Sequence, residues 1–318
     1  MLYLSDISSD IGGLQAVLDQ AYNAMIVNCS ELIGISSAIA GLGTLWHVAA
    51  HIWVDIAEAR PVNLRPLFRP FLIGLAIMFF PTVISIINGI LQPTVTGTAA
   101  IVGNANQAVE TLLQEKQQAL QQSTDWQMYA GTTGSGDIDK WEQLSGEADS
   151  GVFSGLSNRV KFEMAKAAYN LRNSIKVWLS EILQVLFEAA ALCINTVRTF
   201  YLIILAILGP LAFAFSVYRG LEDSLSHWLS HYIHVFLWLP VANIFGSLIA
   251  QIQQQMIKLD IAQLTAAGQS NFGATDAAYI IFLLMGIVGY FTVPSITHYI
   301  VRTGGMGAKL WRTNPSIQ

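Results

Sequence analysis

Residues 70–109 read PFLIGLAIMFFPTVISIINGILQPTVTGTAAIVGNANQAV, and this uncharged stretch is the strongest indication of the fold class. The stretch contains no Asp, Glu, Lys or Arg, and its first half is almost continuously apolar. Because a water-soluble domain would leave such a surface exposed, the stretch predicts a chain that crosses a lipid bilayer. The whole chain agrees, since 53% of its residues are hydrophobic and 12% are charged, against roughly 25% charged in a typical soluble domain.

The apolar windows predict transmembrane helices. A hydrocarbon core about 30 Å thick takes ~20 helical residues, and lipid offers no partner to exposed backbone polar groups. Five windows are long enough, residues 32–54, 67–91, 199–218, 228–250 and 277–297. The sequence therefore predicts an all-α polytopic membrane protein with about five transmembrane helices. Residues 182–218 leave two alternatives, because one helix would measure about 55 Å: a long helix kinked at Gly209 and Pro210, or a re-entrant pair that brings the hydrophobic segments to six.

Lys and Arg near the helix ends predict the orientation. The segment 1–31 contains neither, whereas Arg60, Arg65 and Arg69 follow the first window and Arg302, Lys309 and Arg312 follow the last. Because basic loops stay in the cytoplasm, we expect an outside N-terminus and a cytoplasmic C-terminus. Five regions follow: an N-terminal extracytoplasmic segment 1–31, two transmembrane helices around a basic loop 32–93, a polar extracytoplasmic insertion 94–180, a transmembrane bundle 181–301 and a basic tail 302–318.

The insertion has a composition of its own, because 17 of the chain's 37 charged residues lie between Glu110 and Glu181. Its last part is predicted to be an amphipathic helix, since apolar residues recur at steps of three and four from Met164 to Ile182. Basic residues occupy much of the remaining surface, namely Arg159, Lys161, Lys166, Arg172 and Lys176. Such a helix either lies on lipid headgroups or a partner, or leads into the next span and packs on its neighbours.

A few polar residues lie inside the apolar windows, where they are costly and usually face the bundle interior or a wet cavity. The candidates for a translocation path or an intersubunit contact are Glu188, Arg198, Asn195, Asn88 and Asn243. The alternative is snorkelling at an interface, or pairing within an oligomer. Small residues in the first window, among them Ser37, Gly41 and Thr44, predict close helix packing.

Chemical motifs are nearly absent. His227, His231 and His234 fall on one helical face at i, i+4 and i+7, where three imidazoles could hold zinc or copper. The favoured interpretation is amphipathic rings at a membrane interface, with no metal. The chain has no phosphate-binding glycine loop and no nucleophile elbow, so we expect no catalytic residues, no cofactor and no enzymatic activity.

Four strings carry a family resemblance: RPLFRPFLIGLAIMFFPT (residues 65–82), TVRTFYLIILAILGP (196–210), HVFLWLPVANIF (234–245) and YIIFLLMGIVGYFTVPSI (279–296). They closely resemble the TraJ proteins of Bacteroides-type conjugative transposons, over about residues 41–307. These proteins in turn look like the TrbL and VirB-type polytopic inner-membrane subunits of type IV secretion systems.

The resemblance implies a multi-pass protein of the bacterial inner membrane that serves as a channel or assembly subunit in the transfer of DNA and protein. It implies a ring-shaped homo-oligomer beneath a pilus or stalk subunit, working with cytoplasmic ATPases, with transferred single-stranded DNA as a further contact. The competing interpretation is a small-solute secondary transporter, a class that often contains broken helices and inverted repeats.

Overall fold

A computed structural model describes residues 14, 17–18, 20–25, 29–59, 61, 68–131, 134–145, 152–267 and 274–301. Most of the predicted N-terminal segment 1–31, the basic residues Arg60 and Arg65, and the tail 302–318 lie outside the described residues. Residues 20–25 are helical. The longer elements are helices α1 Cys29–Ala57, α2 Phe68–Met78, α3 Phe80–Gln122, α4 Thr124–Tyr129, α5 Ile138–Ser145, α6 Val152–Phe215, α7 Ser224–Phe236, α8 Trp238–Ala267, α9 Ala274–Tyr290 and α10 Val293–Ile300.

The all-α prediction is confirmed, because about 91% of the structure is helical and the described residues contain no strand. Four helical stretches are long and apolar enough to cross a membrane, Glu31–Ala57, Phe80–Gln122, Leu156–Phe215 and Ser224–Ala266. A fifth candidate is the pair Ala278–Tyr290 and Val293–Ile300, which is bent by 55°. The predicted number of about five spans agrees with this range.

Prolines shift the helix boundaries away from those of the apolar windows. The predicted span 67–91 is divided, since α2 ends at Met78 and α3 begins at Phe80. Pro81 lacks an amide hydrogen and cannot donate to the carbonyl four residues earlier, which weakens the helix at this point. The helix α3 then continues for 43 residues, well past the predicted start of the insertion at residue 94.

The segment 182–218 does not fold back at Gly209. It belongs largely to α6, a single helix of 64 residues that contains Pro210 in its interior. The re-entrant alternative is therefore wrong for this structure. The helix begins at Val152, so the amphipathic part of the insertion and the apolar span form one continuous element.

The chain divides into two compact units, and each has its own packing. One unit, which we call the insertion unit, contains Ala99–Ala191 and Asn243–Tyr290 together with Met1–Ser8, which lie outside the described residues. The other, the bundle unit, contains Ser9–Thr98, Leu192–Ala242 and Phe291–Gln318.

A small aromatic core orders the polar part of the insertion unit. Met128, Trp141 and Phe162 are 6%, 9% and 3% exposed, so α4 and α5 pack on one side of α6. The turn between the two short helices requires Gly136, which has a φ of 72° and whose added Cβ would lie 2.8 Å from the Met128 carbonyl oxygen. A side chain there would both strain the backbone and clash with it.

Candidate functional site

Arg198 is the most buried charged residue that the sequence singled out. In the bundle unit it is 6% exposed, and its Nε donates to the Phe236 carbonyl oxygen at 3.2 Å while Nη1 donates to Asn195 Oδ1 at 3.3 Å. The guanidinium also lies 5.0 Å from the centre of the Phe236 ring, a cation–π distance. The structure thus brings Arg198 and Asn195 together and keeps the charge inside the unit.

The Phe236 carbonyl is free to accept from Arg198 because the residue four positions later is a proline. In an uninterrupted helix it would accept from the amide of residue 240, but that residue is Pro240, which has no amide hydrogen. The helix accordingly ends at Phe236 and resumes at Trp238. Arg198 therefore supplies the hydrogen bond that Pro240 cannot donate. A charged side chain is stabilising at this position in the apolar bundle because it satisfies a backbone carbonyl that would otherwise lack a donor.

Asn88 belongs to a closed triangle of hydrogen bonds in the bundle unit. Tyr232 Oη donates to Asn88 Oδ1 at 2.7 Å, and Asn88 Nδ2 donates to Tyr22 Oη at 2.9 Å. The two tyrosine oxygens lie 2.6 Å apart. Because the single hydroxyl proton of Tyr232 is directed to Asn88, Tyr22 donates to Tyr232 and the ring of three bonds is complete. Asn88 thereby ties residues 20–25 to α3 and α7.

An aromatic cluster surrounds Gly209 in the same unit. The rings of Phe80, Phe213 and Trp228 have pairwise centroid distances of 5.4 to 5.8 Å, and Trp228 Nε1 donates to the Leu205 carbonyl oxygen at 2.9 Å. A Cβ added at Gly209 would overlap the Phe80 ring. Glycine therefore allows α6 to contact the ring directly.

His227, His231 and His234 all belong to α7, so the helix places them on one face. His234 lies near His231 and His298, with ring centroids 5.9 and 5.7 Å apart, while His227 and His231 are exposed. Trp238 Nε1 points at His234 Nε2 at 3.4 Å. Within the described part of the chain, no three His, Cys, Asp or Glu side chains are placed to hold a metal ion.

The remaining candidates lie on partly accessible surfaces. Glu188 is half-buried in the insertion unit and accepts from Gln184 Nε2 at 2.9 Å, and Asn243 is half-buried in the same unit. A partly buried ion pair joins Lys116 and Asp260 there. It links the polar half of α3 to α8, so the Gln-rich part of the insertion packs against a neighbour.

The small residues of α1 are split between two faces. Ser36, Ala40 and Gly43 are buried, and a Cβ at Gly43 would lie 2.9 Å from the Tyr218 ring. Gly41 is exposed with nothing within 4 Å of an added Cβ. Thr44 donates to the Ala40 carbonyl of its own helix, and Ser37 is half-buried. The contact within the chain thus uses the residues just before those named from the sequence, about 100° around the helix.

Three important residues were not singled out from the sequence. Tyr22 and Tyr232 complete the Asn88 triangle, and Pro240 creates the carbonyl acceptor for Arg198. Pro240 could have been recognised from the sequence, since a proline within an apolar helix leaves the carbonyl four residues earlier without its regular donor. The tyrosines carried none, because the contact joins residues 210 positions apart.

Residues 9–318 match a family of homologues of TraJ from Bacteroides conjugative transposon. The chain belongs to this TraJ family. The match spans nearly the whole sequence and confirms the resemblance in the four quoted strings. No curated protein matches the chain. Membership in the TraJ family gives the protein a role related to conjugation, and its apolar helices fit a membrane protein.

Proposed function

We propose that this TraJ homologue is an inner-membrane channel or assembly subunit of a conjugative type IV secretion apparatus. The observation that carries the proposal is the family match over residues 9–318, joined to four or five helices that can span a membrane. The protein performs no catalysis. Several copies form a ring that seats the apparatus in the membrane, beneath a stalk or pilus subunit, and cytoplasmic ATPases supply the energy.

Two features of the structure support a structural part for the bundle unit. Arg198 and Asn88, the polar residues most suited to line a wet passage, are instead engaged within one chain by Phe236, Asn195, Tyr22 and Tyr232. Buried polar networks whose members are satisfied rigidify a bundle. In this proposal the bundle unit therefore anchors the subunit in the membrane.

The insertion unit supports the contact with other secretion proteins. The two short helices that pack on the aromatic core contain Asp125, Asp139 and Glu142, and Asp137 directly precedes α5 and pairs with Lys140. Under the predicted orientation, which has an outside N-terminus and a cytoplasmic C-terminus, this core faces the extracytoplasmic side, where a stalk subunit would dock.

The experiment that tests the proposal is an in-frame deletion of the gene in its conjugative element, with transfer frequency measured before and after complementation in trans. We expect loss of transfer, restored by the complete gene. Unchanged transfer would reject the proposal. A purified chain that accumulates a solute in liposomes would instead indicate a secondary transporter, because an isolated secretion subunit should show no uptake.

A further inference from the structure

An exposed apolar stripe runs along the first half of α6. Its members follow one another at steps of 4, 4, 3, 4, 4, 3 and 4 residues: Leu156, Val160, Met164, Ala167, Leu171, Ile175, Trp178 and Ile182. We call these eight residues the seam. Steps of 4, 4 and 3 are an 11-residue repeat, or about 3.67 residues per turn, which keeps a stripe on one face of an almost straight helix. The seam is about 39 Å long.

The seam has no cover within the described part of the insertion unit. Met164 is 70% exposed, Leu171 is 62% exposed and Trp178 is 63% exposed. The opposite face of the same helix is covered, since Asn158 and Phe162 are buried beneath α4 and α5. One side of α6 is thus used within the chain, whereas the other presents a continuous apolar surface, which usually marks an interaction site.

Lipid does not fit this surface. No proline or glycine lies between residues 156 and 208, and α6 is a single helix up to Phe215. A helix that lay flat on the headgroups would have to turn before crossing the bilayer, and sharp turns need a break of that kind. Residues 199–215 supply most of the crossing, and the seven charged residues between Arg159 and Glu181 exclude the seam from the hydrocarbon core.

The edges of the seam indicate what covers it. Around the helix, at about 100° per residue, Glu163 and Glu181 lie next to one edge of the seam, with Arg159 and Lys166 farther out on that side. Lys161 and Arg172 border the other edge. Two parallel copies of such a helix bring the acidic edge of one against the basic edge of the next, the arrangement that selects partners in coiled coils. Copies inserted in one membrane with one orientation are necessarily parallel at this helix.

We propose that the seam is the surface through which copies of this chain associate, with parallel α6 helices packed around an axis along the membrane normal. The inference rests on the proposed function, in which several copies assemble in one membrane. It adds the surface, the parallel orientation and the register, since equivalent residues of neighbouring copies lie at the same height.

The test is disulfide crosslinking of the complete chain in native membranes. In a Cys29→Ser, Cys193→Ser background, single cysteines are introduced as Met164→Cys and Leu171→Cys on the seam. The matched control is Asn173→Cys, an exposed position on the same helix about 160° away from Leu171. After oxidation we expect a covalent dimer at positions 164 and 171, at least about tenfold above position 173.

Specific outcomes would overturn the proposal. Equal dimer at all three positions would mean random collision, and no dimer at positions 164 and 171 would reject self-association. Mixing the two seam variants separates the orientations, because parallel helices favour the 164–164 and 171–171 dimers over the 164–171 dimer. Labelling of position 171 by a photoreactive lipid in place of dimer formation would assign the seam to the bilayer.

A second variant keeps the proposal testable if a cysteine alters folding. Leu171→Gln removes an apolar side chain from the middle of the seam, and we expect it to lower the Met164→Cys dimer at least about tenfold, while Asn173→Gln leaves it unchanged. An unaltered dimer in Leu171→Gln would reject the seam. Crosslinking reports on the interface alone, because dimer formation does not require DNA transfer. If deletion of the gene leaves transfer unchanged but the dimer still forms, the proposed function is rejected and the interface is retained.

Discussion

The hydrogen bond from Arg198 to the Phe236 carbonyl predicts a specific interaction between two mutations. Replacing Arg198 with Leu puts an apolar side chain in its place. The substitution removes the Nε donor that lies 3.2 Å from the Phe236 carbonyl oxygen, and it removes the guanidinium over the Phe236 ring. Because Pro240 cannot donate, the carbonyl then has no regular helical partner in a low-dielectric setting. We expect Arg198→Leu to lower the free energy of unfolding.

The magnitude follows from these two contacts. A hydrogen bond with a charged donor is worth about 1.5–3 kcal/mol, and a cation–π contact adds about 0.5–1 kcal/mol. The expected loss is therefore about 2–4 kcal/mol. In a Pro240→Ala background, the amide restored at position 240 can donate to the Phe236 carbonyl. The same Arg198→Leu substitution should then cost less, by about 1–2 kcal/mol.

The assay is a double-mutant cycle on protein purified in a mild detergent, with unfolding by added dodecyl sulfate followed by far-ultraviolet circular dichroism. The four proteins are the unaltered chain, Arg198→Leu, Pro240→Ala and the double variant. A coupling free energy of about 1–2 kcal/mol would support the reasoning. An equal loss of unfolding free energy on Arg198→Leu in both backgrounds would refute it, because the missing amide of Pro240 would then not explain why Arg198 stabilises the bundle.

Three further predictions concern other contacts. Asn88→Leu should lower the free energy of unfolding by about 1–3 kcal/mol, and by less in a Tyr232→Phe background; equal losses in the same detergent titration would contradict the closed triangle. Gly209→Ala should cost about 1–3 kcal/mol because its Cβ meets Phe80, and Phe80→Leu should recover part of the loss; an unchanged transition would contradict this contact. Trp141→Ala should remove about 3–5 kcal/mol of local packing and speed cleavage of residues 124–145 by added protease, whereas an unchanged cleavage rate would show that the aromatic core does not order this region.

The sequence was a good guide to the apolar elements and a poor one to their ends. Hydropathy predicted the first span as residues 32–54, and the helix there is Cys29–Ala57. The pattern from Met164 to Ile182 allowed a helix that leads into the next span, but it did not show that α6 would begin at Val152 and reach Phe215 without interruption. Pro210 suggested a break, but a long helix can contain a proline when neighbouring groups pack around the weakened turn, as the aromatic cluster at Gly209 does.

The candidate residues show the same division. Arg198 was predicted from its cost in an apolar segment, yet its partners are a backbone carbonyl 38 residues away and a side chain one turn away. Asn88 was predicted as an isolated polar residue, and the structure gives it two tyrosines from distant segments. Polarity marks a residue as needing partners, but only the packing of the helices selects them.

The all-helical class, the approximate number of spans and the family could be predicted from the sequence alone, because apolar length and local strings do not depend on distant residues. Which face of each helix is used depends on how the helices pack. On α1 the buried small residues are Ser36, Ala40 and Gly43, whereas composition equally allowed the adjacent face with Gly41. A step of one residue rotates a side chain by about 100° around a helix, so its contacts depend on the neighbours that the fold brings near.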